Sequence, residues 1–285
     1  MDPQYASFPV RDIGADPDDV AREIAELGRS IERYVTTRDR LITLPYTGQR
    51  FTIRSPAHAG HERFFANARA TIEKQLPYWV DIWPSGVALA DLALSRADDL
   101  AGKPVLELGC GLGVTATAAL AAGADLAVAD YAPLSLAFCR LNALRNVERV
   151  PHPLAFNWRE PLPEVLTRLG HLPPFPIILA ADILYERRDI APVLALIERL
   201  LAPDGQLWLA EPGRQTARAF LNALTAAGWR GTTEQFDGPW PGGQAARVRI
   251  HLLHRQVGMT TQKQTAITAA NETAPRTDRQ PLDGA

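Results

Sequence analysis

The residues best able to do chemistry lie where an apolar run meets three closely spaced glycines. Positions 105–113 read Val-Leu-Glu-Leu-Gly-Cys-Gly-Leu-Gly, a strand that turns through Gly109, Gly111 and Gly113 into a helix. Glycine is needed where the backbone turns tightly and a ligand must lie against it with no Cβ between them. Glu107 stands inside the apolar strand, a costly place for a carboxylate unless a ligand or partner meets it. Asp130 ends the next apolar run, 21 residues beyond Gly109, where an acid can take both hydroxyls of a ribose. Position 114 is Val. A dinucleotide-type loop calls for Gly or Ala there, which makes NAD the weaker ligand. A second pair of polar residues, Asp182 and Tyr185, follows the apolar run PIILA at the spacing Asp-x-x-Tyr.

These residues need a scaffold, and the hydrophobic pattern supplies one. From Trp79 onward, short apolar runs (104–109, 125–130, 150–156, 176–182 and 206–211) alternate with helical segments beginning near Ser85, Gly113, Pro133, Ile190 and Gln215. Ser85 reads as a helix cap. Such alternation predicts βαβ units and a mainly parallel sheet. The runs 228–236 and 246–254 are joined by DGPWPGGQ with no helix between them, which demands an antiparallel pair. The predicted fold class is therefore α/β: a Rossmann-like seven-stranded sheet, mostly parallel, with one antiparallel strand in a terminal hairpin. An N-terminal helical and hairpin accessory region precedes it. Residues 16–40 read as an amphipathic helix capped by Asp16, with Val20, Ile24, Leu27, Ile31 and Tyr34 on one stripe. Residues 42–56 read as a hairpin turning at Thr47-Gly48. The expected organisation is an accessory region over 1–76, a ligand-binding domain over 77–255, and a disordered tail over 256–285, whose composition is poor in large apolar residues.

The glycine loop with Glu107 and Asp130 resembles that of class I S-adenosylmethionine-dependent methyltransferases. That resemblance implies S-adenosylmethionine as cofactor. Glu107 would then lie near the charged methionine end, 109–113 under the methionine and ribose, and Asp130 on the ribose diol. Three further motifs resemble one branch, the methyltransferase family 16 protein lysine methyltransferases, over about residues 77–235. They are Trp83-Pro84 within LPYWVDIWPSG, Phe156-Asn157-Trp158 after the third strand, and Asp182-x-x-Tyr185 after the fourth. By resemblance, Trp83 lies against the cofactor and Asn157 and Trp158 bound the adenine. Relatives commonly carry an acid where Asn157 stands; an amide can still hydrogen-bond a base edge but brings no charge. Asp182 would orient the acceptor nitrogen, and Tyr185 would wall its channel or bond the acid. The implied activity is N-methylation of a lysine on an intracellular protein. A small amine remains an alternative acceptor, and a non-catalytic cofactor-binding protein a third reading. Trp240, between two prolines in the final hairpin, is either an exposed aromatic that grips substrate or a ring tucked on the sheet. With the accessory region, the exposed form would build the rim that recognises a partner.

Composition narrows the remaining classes. Thirty basic residues stand against 32 acidic ones, a net charge of −2, with no basic run to track a phosphate backbone, so nucleic acid is not an expected partner. Two cysteines make no disulfide framework, and the six histidines show no ligand spacing, so no metal is expected. Residues 1–19 lack an apolar signal segment. The Ala-rich stretch 114–129 is broken by Gly123 and Asp125 and does not read as a membrane span. A cytoplasmic location, away from membranes, is the expectation.

Overall fold

The computed structural model describes residues 17–70, 76–169 and 174–256. The chain opens with α1 (Pro17–Glu32), the hairpin strands β1 (Thr37–Thr43) and β2 (Arg50–Pro56), and α2 (His58–Ala70). There follow α3 (Pro84–Ser95), α4 (Ala97–Leu100), β3 (Pro104–Leu108), α5 (Val114–Ala121), β4 (Asp125–Asp130), α6 (Pro133–Val147), β5 (His152–Ala155) and α7 (Leu162–Leu169). The last third holds β6 (Phe175–Ala181), α8 (Ile190–Leu200), β7 (Leu201–Glu211), α9 (Gln215–Ala226), β8 (Trp229–Phe236) and β9 (Val248–Arg255).

Seven strands form one sheet in the order β5-β4-β3-β6-β7-β9-β8. The five from β5 to β7 are parallel, and β9 alone runs against its neighbours on both sides. The fold class read from the sequence therefore holds, with the antiparallel strand one place in from the edge. The central strands are apolar throughout because both faces are covered. Val105, Ile177, Leu179 and Trp208 pack with α3, α5 and α6 in one cluster. Leu106, Leu108, Ile178 and Leu207 pack with α8 and α9 in another. The chain steps outward from β3 in one direction through β4 and β5, and in the other through β6 and β7. The order reverses between β3 and β6, and open α/β sheets bind ligands beyond the carboxyl ends of strands at such a reversal.

The accessory segment shares the first of these cores: Leu27, Ile31, Ile42, Phe51, Ile53 and Phe64 join the same cluster as α3, α5 and α6. Two asparagines of α6 fasten the hairpin to it. Asn142 bonds both the N–H and the C=O of Arg54, and Asn146 does the same at Thr52. Asn142 also donates to the carbonyl of Leu112 in the glycine loop, so the accessory hairpin and that loop are tied through one side chain.

Two boundaries differ from the sequence reading. The first helix stops at Glu32, because Thr37 to Thr43 pair with β2 in a full antiparallel register; strand pairing outweighs a weak helical period there. Ser85 does not cap α3. Trp83 occupies the cap position with Pro84 in the first turn, and the Ser85 hydroxyl is buried without a hydrogen-bond partner. The expected Asp16 cap and all of the expected tail beyond Gln256 lie outside the described residues. Among the described residues no helix is long and apolar enough to cross a membrane, and no group of three or more side chains has the make-up of a metal site.

Candidate active site

The crevice at the order reversal holds a cleft open to solvent, the place where open α/β sheets bind small molecules. Of the ten residues singled out in the sequence, eight line it: Trp83, Glu107, Gly109, Gly111, Asp130, Trp158, Asp182 and Tyr185. Gly113 and Asn157 do not.

Gly113 caps α5 with φ +80, and a Cβ there would fall 2.7 Å from Cys139 Sγ and 2.8 Å from Cys139 Cα. Its smallness serves the approach of α5 to α6 rather than a ligand. Gly109, with φ +70, is similar: a Cβ would meet Ile183 Cγ2 at 2.7 Å, so the end of β3 can lie against the segment leaving β6. The Asn157 carbonyl accepts from the N–H of Arg159 at 3.0 Å, the local turn bond that competes for such side chains. It is not among the groups lining the cleft.

Of the carboxylates lining the cleft, the three singled out in the sequence are each held differently. Glu107 is 1% exposed, and its Oε2 has no hydrogen-bond partner. Burial pushes its carboxyl well above the usual range, and the nearby Asp130 adds to this. The Thr115 hydroxyl beside it opposes the rise, and that hydroxyl also lies 3.1 Å from the Gly86 carbonyl. Asp130 is also buried, but its oxygens accept from Gly111 N–H (3.1 Å), Ala132 N–H (3.1 Å) and the Ser135 hydroxyl (2.8 Å). Burial raises its carboxyl and those bonds restrain the rise. Asp182, just past β6, sits at φ +53, a conformation that costs a non-glycine residue energy and is concentrated at functional sites. Its N–H bonds the carbonyl of Ala210 on β7. Arg214 grips its carboxylate with two bonds, Nε to Oδ1 at 2.6 Å and Nη2 to Oδ2 at 3.0 Å.

An aromatic wall stands beside Asp182. Tyr185 stacks on Tyr78 with centroids 3.9 Å apart and planes at 6°, and meets Trp83 edge-on at 5.8 Å. The Trp83 indole N–H is anchored on the carbonyl of Tyr78. Across the cleft, Trp158 donates to Asp189 at 3.1 Å, and Arg159 bridges Asp189 and Glu186. Sequence reasoning missed Tyr78, Arg159, Glu186, Asp189 and Arg214. Tyr78 and Glu186 lie inside or beside quoted motifs, whereas Arg214 carries no local signal. Trp240 is 5% exposed, with its indole N–H on the carbonyl of Ala246 at 2.6 Å. Of its two placements, the ring tucked against the core is the one found. Its loop does reach the cleft side, through Gln244 bonded to the carbonyl of Ile82.

A family model described as lysine methyltransferase matches residues 78–227. Histone-arginine methyltransferase METTL23 of Xenopus laevis is 33% identical over 147 residues, covering 49% of this chain and 61% of that protein. The electron transfer flavoprotein beta subunit lysine methyltransferase of Rattus norvegicus is 36% identical over 146 residues, 48% of this chain and 51% of that one. This chain thus spans between about half and three-fifths of the length of these two relatives. Among solved structures, the N-methyltransferase NodS from Bradyrhizobium japonicum, in complex with S-adenosyl-L-homocysteine, aligns with a TM-score of 0.46 at 17% identity, over 68% of this chain and 99% of that one.

Proposed function

The chain belongs to the lysine methyltransferase family, and we propose that it transfers the methyl group of S-adenosylmethionine to a side-chain nitrogen of a protein, with lysine as the acceptor. The supporting observation is one continuous cleft that carries Glu107 and Asp130 on one side and Asp182, Tyr185 and Trp83 on the other.

The residues present fit the cofactor. The unpartnered Glu107 oxygen is a buried acceptor in want of a cation or donor, and the cofactor's methionine ammonium would meet it. Asp130 would take the ribose hydroxyls with acceptor capacity left over from its three bonds to the chain. Trp158 would flank the adenine, its ring edge fixed by Asp189. When bound, the cofactor supplies an electrophilic methyl on a sulfonium that is already a good leaving group.

The chain's own residues then have a positioning task. The acceptor nitrogen must offer a lone pair, so it must be neutral. Asp182 would accept an N–H from it and aim it. Because Arg214 compensates its charge, Asp182 offers no net negative field that would favour the ammonium form. No histidine lines the cleft among the described residues, and loss of the proton to water before transfer would suffice. The stack of Tyr78 and Tyr185, with Trp83 at its edge, would exclude water beside the acceptor.

Arginine as the acceptor is a second reading, favoured by the match to a protein named as a histone-arginine methyltransferase. The test is incubation with tritiated S-adenosylmethionine and a cell lysate separated into protein and small-molecule fractions. Label on protein lysine by mass spectrometry is expected. Label on arginine would move the proposal to the second reading, label in small amines alone would overturn both, and cofactor binding with no label anywhere would leave a binding protein without catalysis.

A further inference from the structure

The side chain closest to the expected acceptor site that no motif accounts for is Arg214, in the turn between β7 and α9. Its guanidinium makes a two-bond fork to Asp182, and its Cζ lies 4.5 Å from the centre of the Tyr185 ring. Tyr78 stacks on Tyr185 at 3.9 Å. Tyr185 thus packs against both Tyr78 and Arg214. The Arg214 side chain is about a third exposed, whereas that of Asp182 is 2% exposed. The turn that carries Arg214 is itself pinned. The Glu211 carboxylate accepts the N–H of Arg214 at 3.0 Å and that of Gly213, while Arg249 and His251 approach its other oxygen.

We infer that Arg214 is the positioning residue of the acceptor site: its fork fixes the Asp182 carboxylate, and its guanidinium over the Tyr185 ring ties that ring to the same group. The inference rests on the methyltransferase reading of the same cleft. Its chemistry is specific to a guanidinium. A planar fork matches a carboxylate at two points and stacks on a ring at once, which an ammonium cannot do. The fork uses one acceptor position on each Asp182 oxygen and leaves others for an acceptor N–H. Burial raises the Asp182 carboxyl above its usual range and the Glu211 carboxylate at the end of β7 adds to this; Arg214 is the cation that restrains the rise. Tyr185 and Tyr78 face the same region, and neither supplies a countercharge.

The test uses the full chain with Arg214→Gln and Arg214→Lys, and three readouts. Calorimetry with S-adenosylhomocysteine reports cofactor binding and serves as the folding control. Carbon-13 carboxyl NMR, with Asp182 assigned by its loss in Asp182→Asn, reports its titration midpoint. Tritium transfer from S-adenosylmethionine into lysate protein between pH 6 and 10 reports the acceptor step. Arg214→Gln should raise the Asp182 midpoint by about one pH unit or more, lower transfer about 10²-fold near neutrality, and leave cofactor affinity within about threefold of wild type, since Arg214 is not a cleft-lining residue. Arg214→Lys should keep most of the midpoint, because the charge remains, yet recover only part of the transfer, because the fork does not. An unchanged midpoint in Arg214→Gln overturns the inference. So does a shifted midpoint with unchanged transfer, and so does full recovery of transfer by lysine. If wild type neither binds S-adenosylhomocysteine nor labels protein while the midpoint still moves, the methyltransferase reading fails and the Arg214–Asp182 coupling stands.

Discussion

Glu107→Gln changes one atom and one charge, and the structure predicts opposite effects on binding and on stability. In wild type a fully buried carboxyl faces the cleft with one oxygen unpartnered. A charge-assisted hydrogen bond to the cofactor's ammonium is worth about 1.5–3 kcal/mol, and each 1.4 kcal/mol is about tenfold. The glutamine variant should therefore bind S-adenosylhomocysteine about ten- to a hundredfold more weakly. Protons sharpen the test. The wild-type carboxyl, raised well above its usual value, must release a proton to pair with a cation, so affinity should climb with pH, by up to about tenfold per unit for one proton, until the raised value is passed. The variant should lack that climb.

Stability runs the other way. The folded value of Glu107 lies above the unfolded 4.5, so the folded state holds this proton more tightly than the unfolded one. Its stabilising contribution is complete below pH 4.5 or so and is lost as pH rises through the folded value, with a limiting slope of about 1.4 kcal/mol per pH unit. Glutamine has no proton to lose. The ligand-free variant should become more stable than wild type as pH rises from 5 to 8, the gap growing and then levelling. Urea unfolding across that range measures it, with calorimetry in buffers of different ionisation enthalpy for the proton release. Parallel stability curves together with equal affinities would refute the reasoning, because Glu107 would then have a partner in both states.

Asp130→Ala removes three bonds within the chain as well as the proposed ribose acceptor. S-adenosylhomocysteine affinity should fall tenfold or more, in line with about 1.5–3 kcal/mol for a charged bond, and the thermal midpoint should fall as well; unchanged affinity by calorimetry would remove Asp130 from the site. Trp240→Ala should cost about 3–5 kcal/mol of unfolding free energy, the range for a buried tryptophan, with little change in cofactor affinity; denaturant unfolding that shows less than about 1 kcal/mol would contradict the buried placement.

What the sequence disclosed and what it hid divide along contact distance. The glycine loop, Glu107 and the strand-end Asp130 lie within two neighbouring βα units, so their arrangement follows from strand and helix periods. Arg214 reaches Asp182 across 32 residues, and its position depends on the register of β6 against β7, including the bond from Asp182 N–H to the carbonyl of Ala210. No local pattern encodes that register. Trp240 illustrates a second kind of opacity. A Pro-Trp-Pro loop is equally compatible with an exposed and a buried ring, and a single bond to Ala246 with packing on the core decides it. Asn157 illustrates a third: a short amide side chain can serve a ligand or its own turn, and here the turn takes it.

Glu107, Asp130 and Asp182 carry a chemical reading that motif position alone does not. A buried acid that the chain leaves unpartnered, as with Glu107, is costly until a cation arrives; it suits the charged end of a ligand. An acid whose oxygens accept from neutral N–H and O–H donors, as with Asp130, has its burial-driven rise restrained and has acceptor positions to spare, which suits neutral hydroxyls. An acid already forked by a guanidinium, as with Asp182, has its charge compensated and its orientation fixed. It can receive one more N–H without favouring the protonated form of the group that brings it, as a nucleophilic amine requires. In the proposed reading, ammonium, diol and neutral amine would be matched in turn by a partner that the chain withholds, by neutral donors, and by a full countercharge. Exchanging the environments, for instance by removing Arg214 while keeping Asp182, should convert the third acid into one resembling the first, with a carboxyl raised further than it already is and a preference for a cation over the neutral amine.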